Sequence, residues 1–169
     1  MPAQLWLLRH GEAVPHESKP DHDRELTARG ERQSADAGSA LARLGLEFAG
    51  CFTSPKVRAR DTARLACAAL NVEAREAASL ADGFDADDAF ALLLDAAADA
   101  PADADPDARV LAVGHEPSLS QVVHDLTGAR VELKKGGVAA IRMTRTGAEL
   151  LVLLRPRELE SLARGGEPS

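Results

Sequence analysis

A chain of 169 residues, 45% hydrophobic and 28% charged, can bury a sizeable core, and one domain over 1–169 is expected rather than a disordered polymer. Aromatic residues make up 3%, Tyr is absent and the net charge is -7, which excludes the aromatic platforms and basic field of a nucleic-acid partner. No run approaches the roughly 18 apolar residues of a membrane helix, and the first residues lack a basic segment leading into a long apolar one, so a cytoplasmic protein with no membrane partner is expected, with a monomer favoured.

Residues 3–8, apolar but for Gln4 and of strand length, read as a buried strand and run straight into Arg9, His10 and Gly11. Residues 12–25, with Pro15 and Pro20, read as a loop. Its His16, Asp21, His22 and Asp23 fit no common ligand spacing, so a solvated loop without metal is expected. Residues 26–45 read as a helix with Thr27 at the N-cap and Gly45 past the end, and positions 34, 37, 41 and 44 repeat at helical spacing. "AGCFT" (49–53) is a second short strand, after which Ser54 and Pro55 open a helix over about 56–70. Residues 72–76 suit a short edge strand. Asp85 with Asp88 resembles a helix start before "AFALLLDAAADA", and 101–108 is a Pro-punctuated loop. Residues 82–107 hold nine Asp and no Lys, Arg or Glu, so the rest of the chain is mildly basic, and the stretch is expected to be a solvated helix face plus the loop.

"RVLAVG" (109–114) is a third buried strand. A helix from Pro117 to about Thr127 follows, closed by Gly128, with His124 on its surface. "VAAIRM" (138–143) and "ELLVLL" (149–154) flank a Thr146–Gly147 turn as a hairpin, and the tail from about 165 is expected to fray. Cys51 and Cys67 lie in apolar surroundings and read as buried free thiols. Strands alternating with helices predict an α/β domain, with a mostly parallel central sheet and helices on both faces in a three-layer arrangement.

In open α/β sheets, ligands bind beyond the carboxyl ends of the strands. Here those ends carry Arg9–His10, the segment Ser54 to Arg58, and His115. Two arginines and two histidines crowd one another unless an anion with several oxygens lies between them, and phosphate suits arginine through paired hydrogen bonds. Each group has a plainer reading: His10 as a strand-end histidine, Arg58 as a surface arginine like Arg60 and Arg64, His115 as a structural residue at a helix start.

"LLRHGEA", "TSPKVRARDTA" (53–63) and "VGHEPSLS" (113–120), with "LTARG" (26–30), together resemble the motifs of the histidine phosphatase superfamily, the phosphoglycerate-mutase-like fold. The short 70–110 region is similar to that of the SixA-type phosphohistidine phosphatases. The resemblance implies a hydrolase with His10 as nucleophile. Arg9, Arg58 and His115 would bind the phosphoryl oxygens, Gly11 would let the backbone turn beside the phosphate, and no metal or other cofactor would be needed. Arg24 could fold over the site onto phosphate or an acidic partner, though a solvated loop arginine is the plainer expectation. For the general acid, Glu12, Asp82 and Asp85 stay open. A site with a poor acid favours phosphohistidine on a signalling protein, such as a histidine phosphotransfer domain, over the ester of a small phosphorylated metabolite, which is the alternative substrate.

Overall fold

The computed structural model describes residues 1–165, so most of the tail expected to fray lies outside the described residues. Chain order is β1 (Gln4–Arg9), α1 (Ala28–Arg43), β2 (Gly50–Thr53), α2 (Val57–Leu70), β3 (Ala74–Glu76), α3 (Ala86–Ala98), β4 (Arg109–Gly114), α4 (Ser118–Thr127), β5 (Val138–Met143), β6 (Ala148–Leu154) and α5 (Pro156–Ala163). Single 3-10 turns cover Asp21–Asp23 and Ala78–Leu80.

The strands form one sheet in the order β3-β2-β4-β1-β5-β6. The pairs β3–β2, β2–β4 and β4–β1 are parallel; β1–β5 and β5–β6 are antiparallel, the last being the expected hairpin. Alternation along each central strand builds two cores. Leu5, Leu7, Val110, Ala112, Ala139 and Ile141 face one side, with residues of α3 and α4. Trp6, Leu8, Leu111, Val113, Val138 and Ala140 face the other, with residues of α1, α2 and α5. This is the three-layer α/β/α arrangement, and fully burying each Leu or Val contributes about 1.5–3 kcal/mol. Cys51 and Cys67 are buried free thiols.

Local signals account for the helix starts. Thr27 accepts a hydrogen bond from the Gly30 N–H, and Asp85 and Asp88 form a reciprocal capping box. Gly45 and Gly128 take positive φ at the helix ends, where a Cβ would be strained. The helix α5 goes beyond the sequence reading; it is short, starts on Pro156 and buries Leu159 beside α1.

The first loop and α1 approach backbone to backbone. A Cβ on Gly30 would stand 2.0 Å from the Glu12 carbonyl oxygen, and one on Gly11 would stand 2.4 Å from the Gly30 carbonyl oxygen. Gly11 also donates its N–H to Thr62 Oγ1 at 3.1 Å. Its place is therefore fixed by close packing against α1 and by the bond to α2, directly after His10. Gly30→Ala is expected to lower unfolding free energy by about 2–4 kcal/mol through this overpacking, read as the denaturant midpoint at unchanged slope.

Candidate active site

Three strand ends meet where β2, β4 and β1 lie side by side. The His10 N–H donates to the Gly114 carbonyl at 3.1 Å and the Ser54 N–H to the Val113 carbonyl at 3.0 Å, which fixes both residues to β4, the strand that ends at His115. The rings of His10 and His115 stand 5.1 Å apart between centroids. His10 Nδ1 lies 2.7 Å from the Gly11 carbonyl oxygen, so Nδ1 carries the proton and donates it, leaving a lone pair on Nε2. His115 Nε2 lies 2.8 Å from Ser54 Oγ. Arg9 Nη1 donates to the Leu133 carbonyl at 2.8 Å, and Arg58 Nη1 to the Asp21 carbonyl at 2.7 Å. The Nε atoms of both arginines are buried with no acceptor among the described residues.

Burial dominates the electrostatics. It pushes His10 down from 6.5 to about 3, assisted by the charges of His115, Arg58 and Arg9, against the hydrogen bond to Gly11. His115 is pushed down to about 4 by burial, then by Arg58 and Lys56. Both rings are neutral at pH 7. Two consequences follow for pH. Turnover, corrected for substrate ionisation, is expected to stay flat from pH 7 to 5, where a histidine of ordinary basicity would already lose its nucleophile. Stability behaves differently: below pH 6.5 the unfolded chain takes up protons that the folded rings refuse, so the thermal midpoint should fall as pH drops from about 6.5 to 5. A midpoint constant over that window would contradict the buried neutral pair.

The 12–25 loop departs from expectation. Arg24 is 6% exposed, donating Nε to the Val14 carbonyl at 2.9 Å and Nη1 to Asp21 Oδ1 at 3.1 Å, so it is not a solvated loop arginine. Asp21 is not merely solvated either. It reaches Lys56 Nζ at 3.0 Å and Arg58 Nη2 at 3.3 Å, and Lys56 foremost, then Arg24 and Arg58, hold its carboxyl far below the usual carboxylate range. The 3-10 turn thus clamps one carboxylate onto three cations beside the histidines. Lys56, between Ser54 and Arg58 in the second motif, is a site residue that sequence reasoning passed over.

Each of the three candidate acids already has a partner. Glu12 accepts from Thr27 Oγ1 at 3.0 Å and Arg29 Nη1 at 3.4 Å. Asp85 caps α3. Asp82 lies 2.8 Å from Lys56 Nζ, which holds its pKa down and so keeps it ionised.

A carboxylate near Arg9, Glu116, was also passed over in the sequence. Glu116 Oε2 accepts the Ser120 hydroxyl at 2.6 Å and Oε1 accepts the Ser120 N–H at 2.9 Å. Ser120 Oγ accepts the Leu133 N–H at 3.2 Å, and the Leu133 carbonyl holds Arg9. Glu116 is also the largest favourable charge on Arg9, opposing its desolvation. Glu116→Ala is expected to raise KM for a phosphate ester about tenfold by loosening Arg9, with kcat changed less and Glu116→Gln restoring most of the loss. Steady-state kinetics of both variants test it; equal defects in the two would contradict positioning through this chain of bonds.

Residues 5–84 match the model of the histidine phosphatase superfamily (branch 1). The chain is 34% identical over 168 residues to an uncharacterized protein of Picosynechococcus sp., covering 92% of this chain and 98% of that one. Among solved structures it is similar to the protein histidine phosphatase SixA complexed with tungstate, with TM-score 0.79 at 22% identity, covering 92% and 99% of the two chains. It is also similar to the alpha-ribazole phosphatase from Shigella flexneri, with TM-score 0.70 at 20% identity, covering 90% and 96% of the two chains. At those identities the likeness is one of fold.

Proposed function

The chain belongs to the histidine phosphatase superfamily, branch 1, and on that footing we propose that it hydrolyses phosphohistidine on a signalling protein, such as a histidine phosphotransfer domain, through a covalent phosphoenzyme at His10. Nε2 of His10 attacks phosphorus with its lone pair while Nδ1–H stays on the Gly11 carbonyl, and the bond from phosphorus to the leaving nitrogen breaks. Arg9, Arg58 and His115 meet the charge on the phosphoryl oxygens, each such contact being worth about 3 kcal/mol of barrier. Water then attacks the phosphohistidine, releasing inorganic phosphate and restoring His10.

The observation that carries the substrate assignment is the engagement of the carboxylates. Asp82 is ion-paired to Lys56, Asp85 caps α3 and Glu12 binds Thr27 and Arg29, so none is poised as a protonated acid for an alkoxide leaving group. A phosphorylated imidazole protonated at its other nitrogen leaves as neutral imidazole and needs no such acid. The structural likeness to an alpha-ribazole phosphatase supports a second reading, a small phosphorylated metabolite as substrate. A panel separates the two: a phosphorylated histidine phosphotransfer domain against sugar and nucleotide phosphates. Higher kcat/KM on the phosphoprotein is expected; a metabolite preferred by orders of magnitude would overturn the assignment.

A further inference from the structure

A groove leads away from Arg9 across the face formed by α1, α5 and the segment before β5. It consists of two adjoining hollows of about 400 and 450 Å³ that share Arg29, Gln33, Lys134 and Pro156. Its walls carry eight arginines and lysines against four carboxylates, a surplus of four positive charges on a chain of net charge -7. Several cations pair locally, Arg29 with Glu12, Lys134 with Glu132, Arg164 with Glu160, and Arg155 and Arg157 with Glu158 just outside the walls, which trims the surplus to three; Arg32 and Lys135, both exposed, form no ion pair among the described residues.

The rest of the charge lies on the other side. Of the nine aspartates of 82–107, seven sit on α3 and the loop after it, Asp85 caps α3 and Asp82 pairs with Lys56; α3 packs on the opposite face of the sheet from α1 and α5. The molecule is therefore polarised, with a basic channel ending at a catalytic-site arginine and an acidic back. Such a field turns an acidic partner so that it meets the channel first, and it raises the encounter rate more than the final affinity. No aromatic side chain lines the groove, so it offers no platform for stacking bases, while a row of guanidinium and ammonium groups suits carboxylates.

We propose that this groove docks an acidic polypeptide segment flanking the phosphorylated residue of the substrate, delivering the phosphoryl group past Arg9. The proposal rests on the phosphoprotein reading above and adds a charge requirement to it. The individual ion pairs are exposed, each worth little, and their effect is collective and sensitive to salt.

The test compares two phosphohistidine peptides, one flanked by glutamates and one by glutamines at the same positions, with an aryl phosphate as control. The wild-type chain is expected to favour the Glu peptide about tenfold in kcat/KM at low salt, with the preference shrinking toward parity at about 0.5 M salt. The R32E/K135E/R157E variant should lose the preference and keep aryl phosphate hydrolysis. Equal turnover of the two peptides by wild type, or a preference that survives in the variant, overturns the docking proposal while leaving the phosphohistidine reading intact. If neither peptide is turned over, the phosphohistidine reading fails. Docking is then read from inhibition of aryl phosphate hydrolysis: stronger competition by the Glu peptide supports the groove, and equal competition overturns it. A single-stranded oligonucleotide competing as well as the Glu peptide, or self-association lost in the charge-reversed variant, would assign the groove to nucleic acid or to the Asp-rich face of a second copy and also overturn the proposal.

Discussion

His10→Ala is expected to reduce hydrolysis of an aryl phosphate by at least about 10⁴-fold and to abolish the trapped phosphoenzyme. His10 is held to β4 by its backbone and to Gly11 by its ring, so Nε2 is presented without a hydrogen-bond partner among the described residues. The ring is neutral at pH 7 because burial and three neighbouring cations or rings disfavour its proton. On the proposed mechanism, removing it takes away the attacking atom while leaving both guanidinium groups in place. Oxyanion binding, measured with tungstate, should survive within a few-fold, which separates loss of chemistry from loss of the pocket. In wild type, brief exposure to labelled substrate should give an acid-labile, base-stable phosphoenzyme mapping to His10. Label trapped on another residue, or variant activity above about 1% of wild type, would contradict nucleophilic catalysis by His10.

Much of this geometry is legible in the residues themselves. Leu5 and Leu7 alternate with Trp6 and Leu8, and the same holds for Val110 to Val113, so the two-faced burial of the central strands follows from period-two patterning. Because parallel strands bring their carboxyl ends to one edge, His10, Ser54 and His115 could be placed together although they are far apart in sequence. Other features leave no such trace. The helix α5 is too short for its periodicity to stand out, although Pro156 at its start and Glu158 three residues past Arg155 were usable signals. The Leu133 contact to Arg9 is made by a backbone carbonyl, which any residue would supply. The burial of Arg24 and the clamp at Asp21 depend on one 3-10 turn inside a polar, Pro-containing loop, where composition alone reads as solvated. Glu116 and Ser120 stand four residues apart at the start of α4, a spacing that did offer a hint of their pairing.

Arg58→Ala is expected to lower kcat/KM by about 10³-fold, and Arg58→Lys by about 10²-fold. Arg58 is 6% exposed, and its fork is split between the Asp21 carbonyl, at 2.7 Å, and the Asp21 carboxylate, at 3.3 Å. A carboxylate on that guanidinium occupies donors that a phosphoryl oxygen would use, and the same carboxylate also holds Lys56. Lysine retains the charge of Arg58 but has a single ammonium in place of the planar fork, so it can hold the loop or meet the oxyanion and does each less well. Asp21→Asn sharpens the test because it moves in the opposite direction. Removing the competing negative charge while keeping the carbonyl should tighten tungstate inhibition about threefold or more, since each cation it releases is drawn more strongly to the oxyanion. A purely structural Arg58 predicts otherwise: Arg58→Ala would lower the thermal midpoint, tungstate affinity would be unchanged in the folded fraction, and Asp21→Asn would weaken inhibition by freeing the loop. Tungstate titration of the three variants, with thermal midpoints measured alongside, decides between an arginine that binds the phosphoryl group and one that only anchors the 12–25 loop.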